Sequence, residues 1–261
     1  MWWLSFIFLP ILYVGFVLIL CLNSTLERLI TKGLNKIMTH ISPVQQRLHI
    51  TFGKYGALQY VGSIDMAKVW ERVLRRADLP IFYSEGFSAR PRIQIAAQVP
   101  LGVTSECELL DLSLREKLAS VAHIPDQIMS VSPAGLVVHG VIEVPITMPA
   151  PQTLIHSATY RIEIDDLPTD DLATRIQQIL ARDRIIVDQE RKGKRSVTDF
   201  RPLIYNLKIG EEGELWATLA TGERGNFRPH DLLDHMGLSE YDVRVHRTKL
   251  YLEGYEKYIK P

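Results

Sequence analysis

The sequence predicts an α+β fold of two halves, and three observations carry this. Between residues 47 and 144 the apolar pattern runs strand, helix, strand, strand, helix, strand, the order of a ferredoxin-like unit. From residue 152 to 261 that order partly repeats, and the proline-rich stretch Pro145–Pro151 separates the two. We therefore expect an apolar N-terminal helix over 1–37, a ferredoxin-like half over 38–144, a linker over 145–151 and a second ferredoxin-like half over 152–261. The two halves would be related by divergent duplication, although no close sequence repeat accompanies the shared order.

The elements follow in turn. Arg47–Phe52 alternates and reads as a strand, and Gly53–Gly62 is a turn-rich connection or hairpin. Ile64–Ala77 reads as an amphipathic helix with Ile64, Val69, Val73 and Leu74 as its apolar stripe, ended by Leu79-Pro80. A loop from Tyr83 to Arg92 precedes strands at Ile93–Ala97 and Glu108–Leu114, a short helix at Pro125–Val131 and a strand at Leu136–Val144. In the second half Thr159–Ile164 is a strand, and Thr169–Ala181 a helix with Thr169 as N-cap ahead of Asp170 and Asp171. Arg184–Gln189 and Val197–Ile209 read as the arms of a hairpin with Arg191–Arg195 at its tip. A strand at Leu215–Ala220, a helix at Pro229–Met236 ended by Gly237, and a strand at Val243–Leu252 complete the chain.

Composition narrows the function classes. Hydrophobic residues make up 46% and charged residues 23%, which excludes collagen-like, coiled-coil and wholly disordered chains. Net charge is zero, so a nucleic-acid surface would have to be a local patch. With only Cys21 and Cys107, the chain offers neither a disulfide framework nor the thiolates of an iron–sulfur cluster. No HExxH, Gly-x-Ser-x-Gly or phosphate-binding glycine motif is present, and His139, His156, His230, His235 and His246 are scattered, so no catalytic residue, metal site or cofactor is expected.

Residues 1–26 carry no charge, and Trp2–Leu22 is long and apolar enough to span a bilayer. Arg28, Lys32 and Lys36 follow, which would hold the main body on the cytoplasmic face. The alternative is a start codon assigned too early, with Met38 as the initiator of a cytoplasmic protein.

A set of motifs runs in order along residues 47–250. They are Leu74-Arg-Arg-Ala-Asp-Leu-Pro80, Tyr83-Ser-Glu-Gly-Phe87, Arg90-Pro-Arg-Ile93, Pro100-Leu-Gly-Val-Thr-Ser-Glu106 followed by Glu108 and Asp111, Arg191-Lys-Gly-Lys194, Asp199-Phe-Arg-Pro202 and Phe227-Arg-Pro229. In these the chain resembles the bacterial radical SAM-linked proteins, encoded beside or fused to a radical SAM protein. It departs from them at Gly62-Ser-Ile-Asp65, where they carry Ser-His-Leu-Asp, and at Gly86-Phe-Ser-Ala89, where they carry Gly-Phe-Asn-Pro. The resemblance implies an accessory protein or detached domain whose partner, a radical SAM enzyme, supplies the cluster and the radical chemistry.

Several patches are candidates for binding. Arg75, Arg76, Arg90 and Arg92 come from the first helix and the glycine loop, where Gly86 and Pro91 shape the chain and Tyr83 and Phe87 add stacking faces. Guanidinium groups interleaved with aromatics suit single-stranded RNA. Lys192, Lys194 and Arg195 at the hairpin tip, with Arg201 and Arg228, extend the basic set. The same residues also read as solvated helix face and hairpin tip. Asp199 and Arg201 would share one strand face as an ion pair. Glu106 and Glu108 would point the same way and, with Asp111, serve either ion pairs or acid–base chemistry in an independent hydrolase or transferase. The leading expectation is an accessory module, not catalytic alone, that helps present RNA. Paired ferredoxin-like units with a glycine loop are also similar to RNA-processing proteins of the CRISPR repeat-associated class. The alternative is a protein-interaction scaffold without nucleic acid, tethered to the membrane if residues 1–37 form an anchor.

Overall fold

The computed structural model describes residues 44–258 other than Gly86, Lys192, Gly193, Glu223 and Arg224. The anchor and the alternative start at Met38 both lie outside the described residues. Among those described, no helix is long and apolar enough to cross a membrane.

The chain is a mixed α/β structure with one large mixed sheet and few helices. Its elements are β1 (Gln46–Lys54), α1 (Ser63–Arg76), β2 (Ile93–Ala96), β3 (Val103–Leu114), α2 (Ile124–Met129), β4 (Leu136–Val144), α3 (Pro151–Leu154), β5 (Ile155–Ile164), α4 (Thr169–Leu180), β6 (Ile186–Arg191), β7 (Lys194–Asp199), β8 (Ile204–Ile209), β9 (Leu215–Ala220), α5 (Pro229–His235) and β10 (Val243–Leu252). Strands run β4-β1-β3-β10-β5-β9-β8 across the sheet, β2 also pairs with β3, and β6 and β7 form a separate ladder.

Each half contributes four strands in one order, β4-β1-β3-β2 in the first and β10-β5-β9-β8 in the second. Every pair within a half is antiparallel. The halves join through one short parallel contact, Val245–Arg247 of β10 beside Val103–Ser105 of β3. The β6–β7 hairpin is an insertion in the second half only.

Alternation on the strands and helical spacing on α1 and α4 bury one apolar face each. In the first half Leu48, Ile50 and Phe52 of β1 and Leu110, Leu112 and Leu114 of β3 pack beneath Met66, Trp70, Val73 and Leu74 of α1. Trp70 is fully buried and meets Phe52 edge-on at 4.8 Å. In the second half Tyr160 and Ile162 of β5 and Leu215, Ala217 and Leu219 of β9 pack beneath Leu172, Ile176 and Ile179 of α4 and Leu232 and Leu233 of α5.

Four expectations are corrected. Ile64 does not belong to the buried stripe of α1, being 74% exposed. The stripe is set by Met66, Trp70, Val73 and Leu74, and Ile64 lies about half a turn from Met66. The strand expected over Val197–Ile209 is two strands, because Phe200–Leu203 turns the chain. Pro202 has no N–H to donate to a ladder, and the Asp199 carboxylate accepts instead from the backbone N–H groups of Ile185 and Arg201. Helix α4 is capped by Pro168 with no side-chain cap, so Thr169 is its first residue and not its cap. Lastly, β3 begins at Val103, five residues before the expected Glu108, and the added residues are those that reach the second half.

Trp70→Ala should cost about 3–5 kcal/mol by creating a cavity under α1, while Ile64→Ala should stay within about 0.5 kcal/mol as an exposed change. Denaturant unfolding of both variants checks the corrected helix face.

Candidate functional site

The seam between the halves is ionic as well as hydrogen-bonded. Between Phe52↔Glu108 and Lys54↔Ser105 the ladder advances two residues on β1 and three on β3, so β3 carries a bulge. The bulge changes which residues face inward. Glu106 is exposed and Glu108 fully buried, so the two do not point the same way, as plain alternation would have them. Lys54, in phase with Leu48, Ile50 and Phe52, also turns inward and is fully buried. On β10, Arg247 shares the inner face with Val245 and is 1% exposed.

These three side chains converge. Arg247 donates through Nη2 to Glu108 Oε1, and through Nη1 to the Ala97 carbonyl at 2.7 Å. Its Nε has no hydrogen-bond partner among the described residues. Glu108 Oε2 accepts from the Val99 N–H at 3.3 Å, and Lys54 Nζ donates to the Val61 carbonyl at 3.0 Å. Burial holds the Lys54 ammonium below the usual lysine range, with Glu108 opposing that shift and Arg247 adding to it. Burial likewise pushes the neighbouring Cys107 thiol up to about 11. Two cations and one carboxylate leave this buried cluster with an excess positive charge.

Arg247 opens onto a cleft of about 810 Å³ between the halves. Gly62 and Ser63 at the start of α1 form one wall, and Asn226 with Arg228–His230 at the start of α5 another, with Val99–Leu101, Gln152 and Tyr160 between. No side chain caps α1, because its N-cap is Gly62, and Asp65 in its first turn pairs with Lys68 at 2.9 Å. Gln98 Nε2 and Gln152 Oε1 are buried on this lining without a partner among the described residues.

A second cavity, about 730 Å³, lies on the opposite sheet face beside the glycine loop. The loop is folded back on itself. Tyr83 bridges Pro91, the Ser84 N–H donates to Arg90 O at 2.8 Å, and the Arg90 N–H donates to Ser84 Oγ at 3.0 Å. Phe87 at its end is completely exposed. Arg90 and Arg92 line the cavity with Arg47 and Asp111. Arg47 grips Asp111 with two hydrogen bonds of 2.8 and 2.7 Å and donates to the carbonyls of Ile146, Met148 and Pro149, so the linker is tied to β1. Behind this pair His49 is buried, its Nδ1 2.7 Å from the Tyr255 hydroxyl. Burial is the main cause that lowers His49 to about 4, against the pull of Asp111 and with help from Arg47.

The residues singled out from sequence fall in four places. Arg90 and Arg92 meet at the second cavity, with Phe87 at the tip of the same loop. Arg75 pairs with Glu71 and reaches the Tyr83 hydroxyl, and Arg76 is exposed on the same helix. Lys194 and Arg195 lie on β7, while Gly86 and Lys192 are outside the described residues. Arg201 holds the carboxyl end of α4 through the carbonyls of Leu180 and Arg182; it meets Asp199 by its backbone N–H, in place of the expected side-chain pair. Arg228 lines the first cleft. Among the described residues no group of three His, Cys, Asp or Glu could hold a metal, and Glu108 and Asp111 are each engaged by an arginine. Sequence reasoning missed Arg247, Lys54, Gln98, Gln152 and His230 as site residues. The available signal was parity, since Lys54 and Arg247 each follow an apolar residue two places earlier on a strand.

A family model described as "Uncharacterized protein conserved in bacteria (DUF2344)" matches residues 47–229. No curated protein matches the chain. Among solved structures the chain is similar to a crystal structure described as a provisionally assigned glycine cleavage system transcriptional repressor. The identity is 11%, covering 80% of this chain and 98% of that one, and the TM-score of 0.23 does not establish a shared fold.

Glu108→Gln should destabilise the protein by about 3–5 kcal/mol, because it leaves two buried cations without their carboxylate; chemical denaturation measures it. His49 makes the structure acid-sensitive in a defined window. The unfolded chain binds the proton near pH 6.5 and the folded chain only near pH 4, so stability is full above 6.5 and falls as pH drops toward 4. The slope is about 1.4 kcal/mol per pH unit. His49→Gln should flatten this part of the stability–pH curve relative to the unsubstituted protein.

Proposed function

The chain belongs to this uncharacterised bacterial family, and from that premise we propose that it is an accessory module that works beside a radical SAM enzyme and presents an RNA strand to it. The partner half of the proposal is supported by the motif set running from Leu74 to Pro229. The RNA half is supported by one observation above the rest, the fully exposed Phe87 on a loop that also carries Arg90 and Arg92. Leaving a phenylalanine in water forgoes about 1.5–3 kcal/mol of burial. A base stacked on the ring recovers that contact, while the two guanidinium groups meet the backbone phosphates. Arg75 holds Tyr83 at the root of the same loop. In this reading the two halves are ferredoxin-like units, supported by the shared order β4-β1-β3-β2 and β10-β5-β9-β8 with a helix in each crossover.

The test is ultraviolet crosslinking of natively expressed protein, followed by binding measurements on the RNA recovered. Arg90→Ala with Arg92→Ala should weaken binding and reduce the salt slope by about two, and Phe87→Ala should cost about 1–3 kcal/mol at every salt concentration. Binding that is unchanged in both variants removes the loop from consideration. Recovery of the radical SAM protein from nuclease-treated lysate with no crosslinked RNA would make the chain a protein scaffold instead.

A further inference from the structure

We propose that the cleft between the halves binds the phosphate group of a small phosphomonoester. This site is separate from the glycine loop and does not depend on the RNA reading.

The case begins with charge. Lys54 and Arg247 face a single carboxylate, Glu108, and all three are buried. An excess buried cation is costly unless an anion meets it. The Arg247 Nε–H, on a side chain 1% exposed, is the part of this cluster left without a partner, and Arg247 lines the cleft. A trapped water would satisfy that N–H but would leave the charge in place.

The remaining walls suit the same anion. The 14-residue helix α1 begins there with no side-chain cap, so its first N–H groups and its dipole favour negative charge at Gly62 and Ser63. Arg228 stands on the opposite wall as an exposed second guanidinium. Gln98 Nε2, buried and unpartnered, adds a neutral donor. Two guanidinium groups of the second half and a helix terminus of the first around one space make a charge-assisted anion site. At about 810 Å³ the cleft exceeds what a bare phosphate fills and falls within the range of small-molecule pockets. The apolar edge formed by Val99, Pro100 and Leu101 is where the rest of the ligand would lie.

The test is titration calorimetry and thermal melting of the full chain with AMP, inorganic phosphate and adenosine. AMP should bind and raise the melting midpoint, phosphate should do so more weakly, and adenosine should do neither. Arg228→Ala, an exposed change expected to leave the unliganded midpoint unaltered, should weaken AMP about tenfold or more. Arg90→Ala with Arg92→Ala should leave AMP binding unchanged, so a failure of the RNA reading and a failure of this one are separate results. No response to AMP or phosphate, adenosine binding as well as AMP, or equal affinity in Arg228→Ala would overturn the proposal. Phosphate binding as tightly as AMP would overturn the assignment of a phosphomonoester in favour of a free oxyanion.

Discussion

The contact between Arg247 and Glu108 is the constraint on which the assembly of the two halves depends. The parallel seam they cross has three residue pairs, too few for backbone hydrogen bonds alone to fix register and angle. An ion pair with both members fully buried is poor evidence of net stability, since desolvation offsets most of the attraction. Its geometry does favour one register over the alternatives. A seam shifted by one residue would turn Arg247 to the outer face and leave Glu108 inside without its guanidinium partner. Arg247 also lines the cleft, so the residue that joins the halves also brings charge to the space between them.

The second consequence concerns β3. The strand is long because it serves two neighbours along one edge, β2 at Leu109–Leu112 and β10 at Val103–Ser105. The bulge between Ser105 and Glu108 separates these two stretches. Glu108 is in phase with Leu110, Leu112 and Leu114, so without the bulge Val103 and Ser105 would turn outward and Glu106 inward, and the seam would lose its inner face. In the second half the matching strand, β9, is six residues long and has no such extension. The two halves share an order of strands, and the part that differs in β3 is the part that builds the seam.

Much of this architecture was legible in the chain. Leu136–Val144 is a strand end to end, and the two long helices are marked by spacing, by Pro80 and by Asp170 and Asp171, because these signals are local. What was not legible is nonlocal or depends on a single irregularity. Nothing near Val103 announces a partner at Val245, about 140 residues away. Pro202 carried the signal for the break between β7 and β8, yet the apolar alternation on either side hid it. The site was harder still. The arginine loop attracts notice because its charges cluster in sequence, whereas Lys54, Glu108 and Arg247 are isolated residues in ordinary-looking strands. They form a cluster only after three strands are aligned and one is bulged.

The two cavities are therefore not independent features of the surface. Glu108 and Asp111 lie three residues apart on β3 and face opposite sides of the sheet, one toward the cleft with Arg247 and the other toward the loop cavity with Arg47. Each carboxylate is held by an arginine from a neighbouring strand, and Arg47 in turn holds the linker that leads into the second half. A ligand that drew on Arg247 from the cleft would act on the partner of the strand that positions Asp111, and an RNA strand on the loop side would act through Asp111 on the linker. The stretch from Gln94 to Gln98 and the linker also border both cavities, Gln94 and Ala150 on the loop side and Gln98 and Gln152 on the cleft side. The pairs at Glu108 and Asp111 make β3 one structural link between a charged interior and an exposed loop, two features that in sequence stand apart as unrelated motifs.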